Sequence, residues 1–140
     1  MIYVDTSVLV ALYTSEPKSA VAARWYAASS GQLVSAVWIV TEFASALGIK
    51  QRTGQLTEAQ GKLAWQQFER LCAADLQLVP LEPSTFHHAA LLTQDVKSGL
   101  HAGDALHLAA ALESNVQALA TLDATFAKAA RKMKLTLVKF

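Results

Sequence analysis

Short runs of β-forming apolar residues alternate with stretches of helical character along the whole chain, and this alternation restricts the fold more than any other feature. Ile2–Val4 reads as a strand ended by Asp5, and Gln32–Ala36, Leu76–Leu81, Ala118–Leu122 and Leu135–Val138 read as four more. Helical segments lie between them, over Ser7–Tyr13, Pro17 to about Ser30, Val37–Lys50, Thr57 to about Ala74, Pro83 to Ser98-Gly99, Asp104–Glu113 and Ala124–Lys132. The punctuation agrees with that division. Pro17 and Pro83 suit first helical turns, Gly31 and Gly54 suit helix stops, and Thr57 with Gln60 has the spacing of a capping box. Strands separated by helices pair in parallel through crossovers, which predicts an α/β fold with a mainly parallel sheet. The chain of 140 residues shows no internal repeat, low-complexity tract or linker, so residues 1–140 are read as one domain.

Composition narrows the function classes. At 53% hydrophobic and 16% charged residues, the chain can build a core and is not a disordered segment. Much of the apolar content is alanine, which suits helices and partner-covered faces. The formal net charge of +1 supplies no general attraction for nucleic acid, so any contact with RNA must rest on local charge. Cys72 is the only cysteine, which excludes an internal disulfide and a cysteine zinc site; it is read as a small buried hydrophobe. A reducing cytoplasm is the expected compartment. The N-terminus lacks the basic region of a signal peptide, and no apolar run approaches the roughly eighteen residues of a membrane span.

The acidic residues fall in a pattern. Asp5 ends the first strand, Asp123 follows the fourth, Glu42 lies on the helix after the second, and Asp104 opens the helix leading into the fourth. Ligands of open parallel sheets gather beyond the carboxyl ends of the strands. Acids collected there repel one another unless cations sit between them, and oxygen donors without sulfur favour Mg²⁺ or Mn²⁺ over Zn²⁺. Each Asp precedes a helical run and therefore also suits an N-cap, a role compatible with metal binding. Glu42 has no such alternative: among Trp38, Ile39, Val40, Phe43, Ala46 and Leu47 it lies either on an exposed stripe or in a site.

Four blocks of the sequence resemble the PIN domain family. Met1-Ile-Tyr-Val-Asp5-Thr6-Ser7-Val8-Leu9 is similar to the family's opening, and Thr41-Glu42-Phe43 to its glutamate position. Ala102-Gly103-Asp104-Ala105-Leu106-His107-Leu108-Ala109 and Thr121-Leu122-Asp123-Ala124-Thr125-Phe126 resemble the third and last blocks. Each block alone is weak; the four in order cover nearly the whole chain. The resemblance implies a three-layer α/β/α domain whose five parallel strands take the order 3-2-1-4-5. It further implies a metal-dependent endoribonuclease leaving a 5′-phosphate and a 3′-hydroxyl. Asp5, Glu42, Asp104 and Asp123 would be its catalytic and metal-binding residues with Mg²⁺ or Mn²⁺; Ser7 and Thr121 would either support them or serve as ordinary turn or cap hydroxyls. The compact size fits the toxin of a VapBC-type toxin–antitoxin pair, with RNA as substrate, a VapB-like antitoxin as partner, and a homodimer as the assembly. Alternatives are a non-catalytic PIN scaffold that binds protein or RNA, and a stand-alone RNA-processing nuclease.

The remaining polar residues carry plainer readings. His107, three residues after Asp104, shares its helical face but is expected to pack beside the core. Adjacent His87 and His88 cannot share one face, and His101 reads as a solvated loop residue. Lys128, Arg131 and Lys132, and likewise Lys50 and Arg52, suit helix C-termini better than phosphate contacts.

Overall fold

The computed structural model describes residues 1–140. Four strands, β1 (Ile2–Val4), β2 (Leu33–Ala36), β3 (Leu76–Val79) and β4 (Ala118–Ala120), alternate with helices α1 (Thr6–Tyr13), α2 (Ser19–Ala28), α3 (Trp38–Arg52), α4 (Glu58–Ala74), α5 (Pro83–Gln94), α6 (Ala102–Glu113) and α7 (Ala124–Lys132). The strands form one sheet in the order β3-β2-β1-β4, all neighbours parallel.

The anticipated fifth strand is reduced to one bridge, Leu119 with Leu137, on the far side of β4. Two hydrogen bonds flank it: Leu119 N–H to the Thr136 carbonyl at 2.8 Å, and Val138 N–H to the Leu119 carbonyl at 2.9 Å. Lys134, at φ 64°, turns the chain sharply after α7, so the segment meets a three-residue β4 at one position only. Its place in the order agrees with the expectation; its length does not.

Period-two alternation fills both faces of this sheet. Val4, Leu33, Leu76 and Ala120 join one core with residues of α1, α3 and α4, among them Leu9, Phe43 and Phe68. Tyr3, Val34 and Leu119 point the other way, into a core with Leu108, Phe126 and Ala130 of α6 and α7. Helices on both faces of a parallel sheet give three layers. Most elements start or stop within a few residues of where the sequence places them. The first helix begins at Thr6, the second at Ser19, and α5 stops at Gln94 before a short 3-10 turn, Val96–Ser98. The Thr57–Gln60 capping box forms in both directions, at 3.1 and 2.9 Å. No helix is long and apolar enough to cross a membrane.

Candidate functional site

The strand order reverses beside β1: the chain runs outward from β1 to β2 to β3, then returns to β4 on the opposite side of β1. Loops leaving β1 and β4 therefore diverge and open a crevice at their carboxyl ends. A cleft of about 620 Å³ occupies that place. Its lining carries five carboxylates, those of Asp5, Glu16, Glu42, Asp104 and Asp123, and one lysine, Lys18. All four acids expected from the sequence thus meet in one cleft.

Asp5 is the most enclosed of them, at 4% exposure. Its backbone N–H continues the β1–β4 ladder to the Ala120 carbonyl at 3.0 Å, which fixes where the side chain starts. Oδ2 accepts hydrogen bonds from the Ser7 hydroxyl at 2.6 Å and the Thr121 hydroxyl at 2.9 Å, and more weakly from Ser7 N–H at 3.4 Å, which caps α1. The Ser7 hydroxyl also accepts from Leu122 N–H at 2.9 Å, tying the β1 and β4 loops together. The Ser7 and Thr121 hydroxyls therefore both hold Asp5. Asp123 caps α7, accepting from Phe126 N–H at 2.8 Å. Cap and cleft position coincide in Asp5 and Asp123.

Asp104 departs from the cap expectation. His101 occupies the N-cap of α6 and Asp104 lies within its first turn. Burial pushes its carboxyl above the ordinary aspartate range, and the charges of Asp5, Asp123 and Glu42 push it the same way, against a hydrogen bond from the His101 backbone. Burial is the larger cause, and the neighbouring carboxylates add to it.

Glu42, half-buried on α3, faces into the cleft. Its Oε2 accepts the Thr6 hydroxyl at 2.5 Å and lies 2.6 Å from Nε2 of His107. Burial pushes the carboxyl up, but the hydrogen bond and charge of His107 and the Thr6 hydroxyl outweigh it, and the group stays below the ordinary glutamate range. The other oxygen, Oε1, packs against Gly103: a Cβ there would overlap it and would also sit 3.3 Å from the Trp38 indole nitrogen. That contact gives the glycine before Asp104 a reason.

His107 corrects the plain reading. It is fully buried, as a core residue would be, yet its ring reaches Glu42, and donor atoms of Asp5, Glu42 and His107 lie within 4.8 Å of one another. Lys50 lies in the last turn of α3, as read from the sequence; it is also 7% exposed, ion-paired with Glu16 and 3.3 Å from the Gln55 side-chain oxygen, so it is not offered to a phosphate. Lys128 and Lys132 line a separate groove of about 500 Å³, where Lys132 pairs with Asp95 at 2.8 Å.

Neutral hydroxyls hold Asp5, Lys50 offsets Glu16, and no cation pairs with Asp5, Asp104 or Asp123. The donor set is oxygen-rich and carries net negative charge, which fits a hard divalent cation such as Mg²⁺ or Mn²⁺.

The family model for the PIN domain matches residues 2–132. The chain belongs to the PIN domain family. Among solved structures of similar fold is the toxin VapC20 of Mycobacterium tuberculosis, a protein that cleaves the sarcin–ricin loop. The match has a TM-score of 0.76 at 16% identity and covers 92% of this chain and 95% of that one. A chain of the FitAcB structure from Neisseria gonorrhoeae is similar at TM-score 0.68 and 17% identity, with 99% and 97% covered. A chain of VapBC2 from Rickettsia felis, bound to promoter DNA, follows at 0.67 and 17%, with 99% and 98% covered. At these identities the likeness is one of fold. Among curated protein sequences none matches this PIN chain significantly.

Proposed function

We propose that this PIN domain, spanning residues 1–140, is a Mg²⁺- or Mn²⁺-dependent endoribonuclease and the toxin of a VapBC-type pair. The observation that carries the reading is the convergence of Asp5, Glu42, Asp104 and Asp123 on one cleft, with Asp104 held above its ordinary titration range. Asp5 and Asp104 are the first choices for direct metal ligands, and Glu42 and Asp123 complete the set. A divalent ion held by these residues would supply Lewis acidity toward a water and toward the phosphodiester oxygens. Ser7 and Thr121 keep the Asp5 carboxylate from rotating, a support typically worth 10–100-fold in metal affinity. Lys18, the one lysine lining the cleft, donates to the Leu122 carbonyl at 3.4 Å and is the cation there that an RNA phosphate could contact.

The toxin setting rests on the fold likeness to VapC20 and to chains of the VapBC2 and FitAcB structures over nearly their whole lengths. It implies an antitoxin that covers the acidic cleft, a homodimer and a cytoplasmic location. A non-catalytic PIN scaffold fits less well, because a protein without the chemistry has no use for four acids crowded together. The test is digestion of total RNA by the purified protein with Mg²⁺, with EDTA, and with Asp5→Asn protein prepared identically. The expected result is a set of discrete fragments that disappears in both controls and is suppressed by the product of a small adjacent reading frame. Folded protein that binds Mn²⁺ poorly and leaves every RNA intact favours the scaffold.

A further inference from the structure

Tyr3 and His107 are fully buried polar side chains that the metal site does not use. They lie beneath the cleft in one hydrogen-bonded line. Tyr3 Oη accepts from the Ala36 backbone N–H at 3.0 Å and lies 2.7 Å from Nδ1 of His107. On the other side of the ring, Nε2 lies 2.6 Å from Oε2 of Glu42.

Counting hydrogens orients this line. The Ala36 N–H can only donate, so Tyr3 accepts there and still has its own hydrogen to give Nδ1 when the ring proton is on Nε2. Nδ1 is then an acceptor, and the ring proton sits on Nε2, facing the carboxylate. The opposite tautomer would set a ring lone pair against a carboxylate oxygen at 2.6 Å, a separation that requires a hydrogen between the two atoms. A ring protonated on both nitrogens still keeps Nε2–H toward Glu42. Thr6 directs its hydroxyl to the same Oε2 at 2.5 Å, while Gly103 closes against Oε1. His107 is close enough to Asp5 and Glu42 to resemble a metal ligand, but both ring nitrogens are already engaged.

We infer that Tyr3 and His107 form a positioning relay, from the Ala36 N–H through the Tyr3 hydroxyl to the Nε2–H of His107, that fixes the Glu42 carboxylate in the cleft. The inference rests on the reading of the cleft as a metal site. It assigns His107 as a positioning residue rather than a ligand. A relay anchored on the β2 backbone ties Glu42, on α3, to the sheet and to the helix that carries Asp104. Such support removes the freedom the carboxylate would otherwise lose on binding an ion.

The test combines spectroscopy with metal titration. In metal-free protein labelled with ¹⁵N-histidine, two-bond ¹H–¹⁵N correlations should show His107 with its proton on Nε2; a ring protonated on Nδ1 alone, or averaging between tautomers, overturns the relay. Tyr3→Phe removes only the hydroxyl and should shift the Nδ1 resonance while Glu42 keeps the proton on Nε2; an unchanged spectrum overturns the relay too. Mn²⁺ binding followed by electron paramagnetic resonance should weaken about 10-fold or more in His107→Asn. His107→Gln, whose amide nitrogen can take the place of Nε2, should recover most of that loss. Asp5→Asn separates the two readings. If it abolishes Mn²⁺ binding while folded His107→Asn and Tyr3→Phe proteins bind as the parent does, the relay is wrong and the metal site stands. If Asp5→Asn itself binds as the parent does, the metal site fails and the relay with it.

Discussion

The molecule contains the same three side chains twice, a glutamate with a threonine hydroxyl and a histidine on it, in opposite surroundings. In the cleft, Thr6 and His107 converge on Oε2 of Glu42 at 2.5 and 2.6 Å, and His107 is wholly buried. Between α5 and α6, Thr85 reaches Oε2 of Glu113 at 2.7 Å and His88 reaches Oε1 at 3.0 Å, with His88 and Glu113 34% and 41% exposed. In both sets burial pushes the glutamate up and the hydrogen bonds pull it further down, so both titrate below the ordinary range. Titration therefore does not distinguish them. The neighbours do: Glu42 shares its cleft with Asp5, Asp104 and Asp123, whereas Glu113 sits on a helix surface where solvent screens its pair. A hydrogen-bonded carboxylate becomes a candidate for chemistry when charge is left uncompensated around it.

That contrast can be broken most forcefully at Asp5. Asp5→Asn keeps the shape and removes the charge that Ser7 and Thr121 hold in place, and RNA cleavage should fall by roughly 100-fold or more. Circular dichroism and thermal melts establish that the fold survives. Gly103→Ala comes next. The added methyl overlaps Glu42 Oε1, and α6 must shift or Glu42 must turn. Cleavage should drop about 10-fold or more, with a stability loss of about 1–3 kcal/mol typical of overpacking. Parent-like rates would show that the position of Glu42 does not matter.

A smaller effect concerns pH. The Asp104 carboxyl is raised in the folded state, so the folded protein holds that proton more tightly than the unfolded chain does. Linkage then makes stability fall as pH rises, from the ordinary aspartate value of about 3.9 up through the raised folded value. Glu42 is lowered and has the opposite sign: its contribution is present above the ordinary glutamate value and is lost as pH falls through the lowered one. Metal-free melts should therefore show the parent losing Tm relative to Asp104→Asn as pH rises above about 4, and Mn²⁺ should reverse that loss. Asp104→Asn should flatten both curves; an unchanged slope in this variant would remove Asp104 as the cause. The smallest effect belongs to the exposed set. Glu113→Gln should change stability by no more than about 0.5 kcal/mol and leave cleavage alone.

The sequence made one half of this comparison legible and hid the other. Asp5 and Asp123 could be found because they follow strand ends, which converge in a parallel sheet, Glu42 because it interrupts an apolar helix, and Asp104 because it opens the helix leading into β4. Spacing from Asp104 put His107 on the correct helical face. Its partner Tyr3, however, is 104 residues away in a strand, where a tyrosine reads simply as a β-former. Lys50 was readable as a helix C-terminal cation, but its burial was not, because nothing local shows that Glu16 folds back onto it. The reduced fifth strand has the same origin. Leu135–Val138 is a plausible strand by composition, and only the turn at Lys134 and the shortness of β4 limit it to one bridge. Periodicity reports which residues face inward; pairings between distant inward faces are set by tertiary packing.

The most direct test of the central claim is calorimetric titration of Mn²⁺ into metal-free protein, run in parallel on the parent, Asp5→Asn, Asp104→Asn and Glu113→Gln. The account predicts saturable binding by the parent and by Glu113→Gln, and its loss in both aspartate variants. A folded parent that takes up no Mn²⁺, or aspartate variants that bind it as the parent does, would contradict the assignment of this cleft as the metal centre.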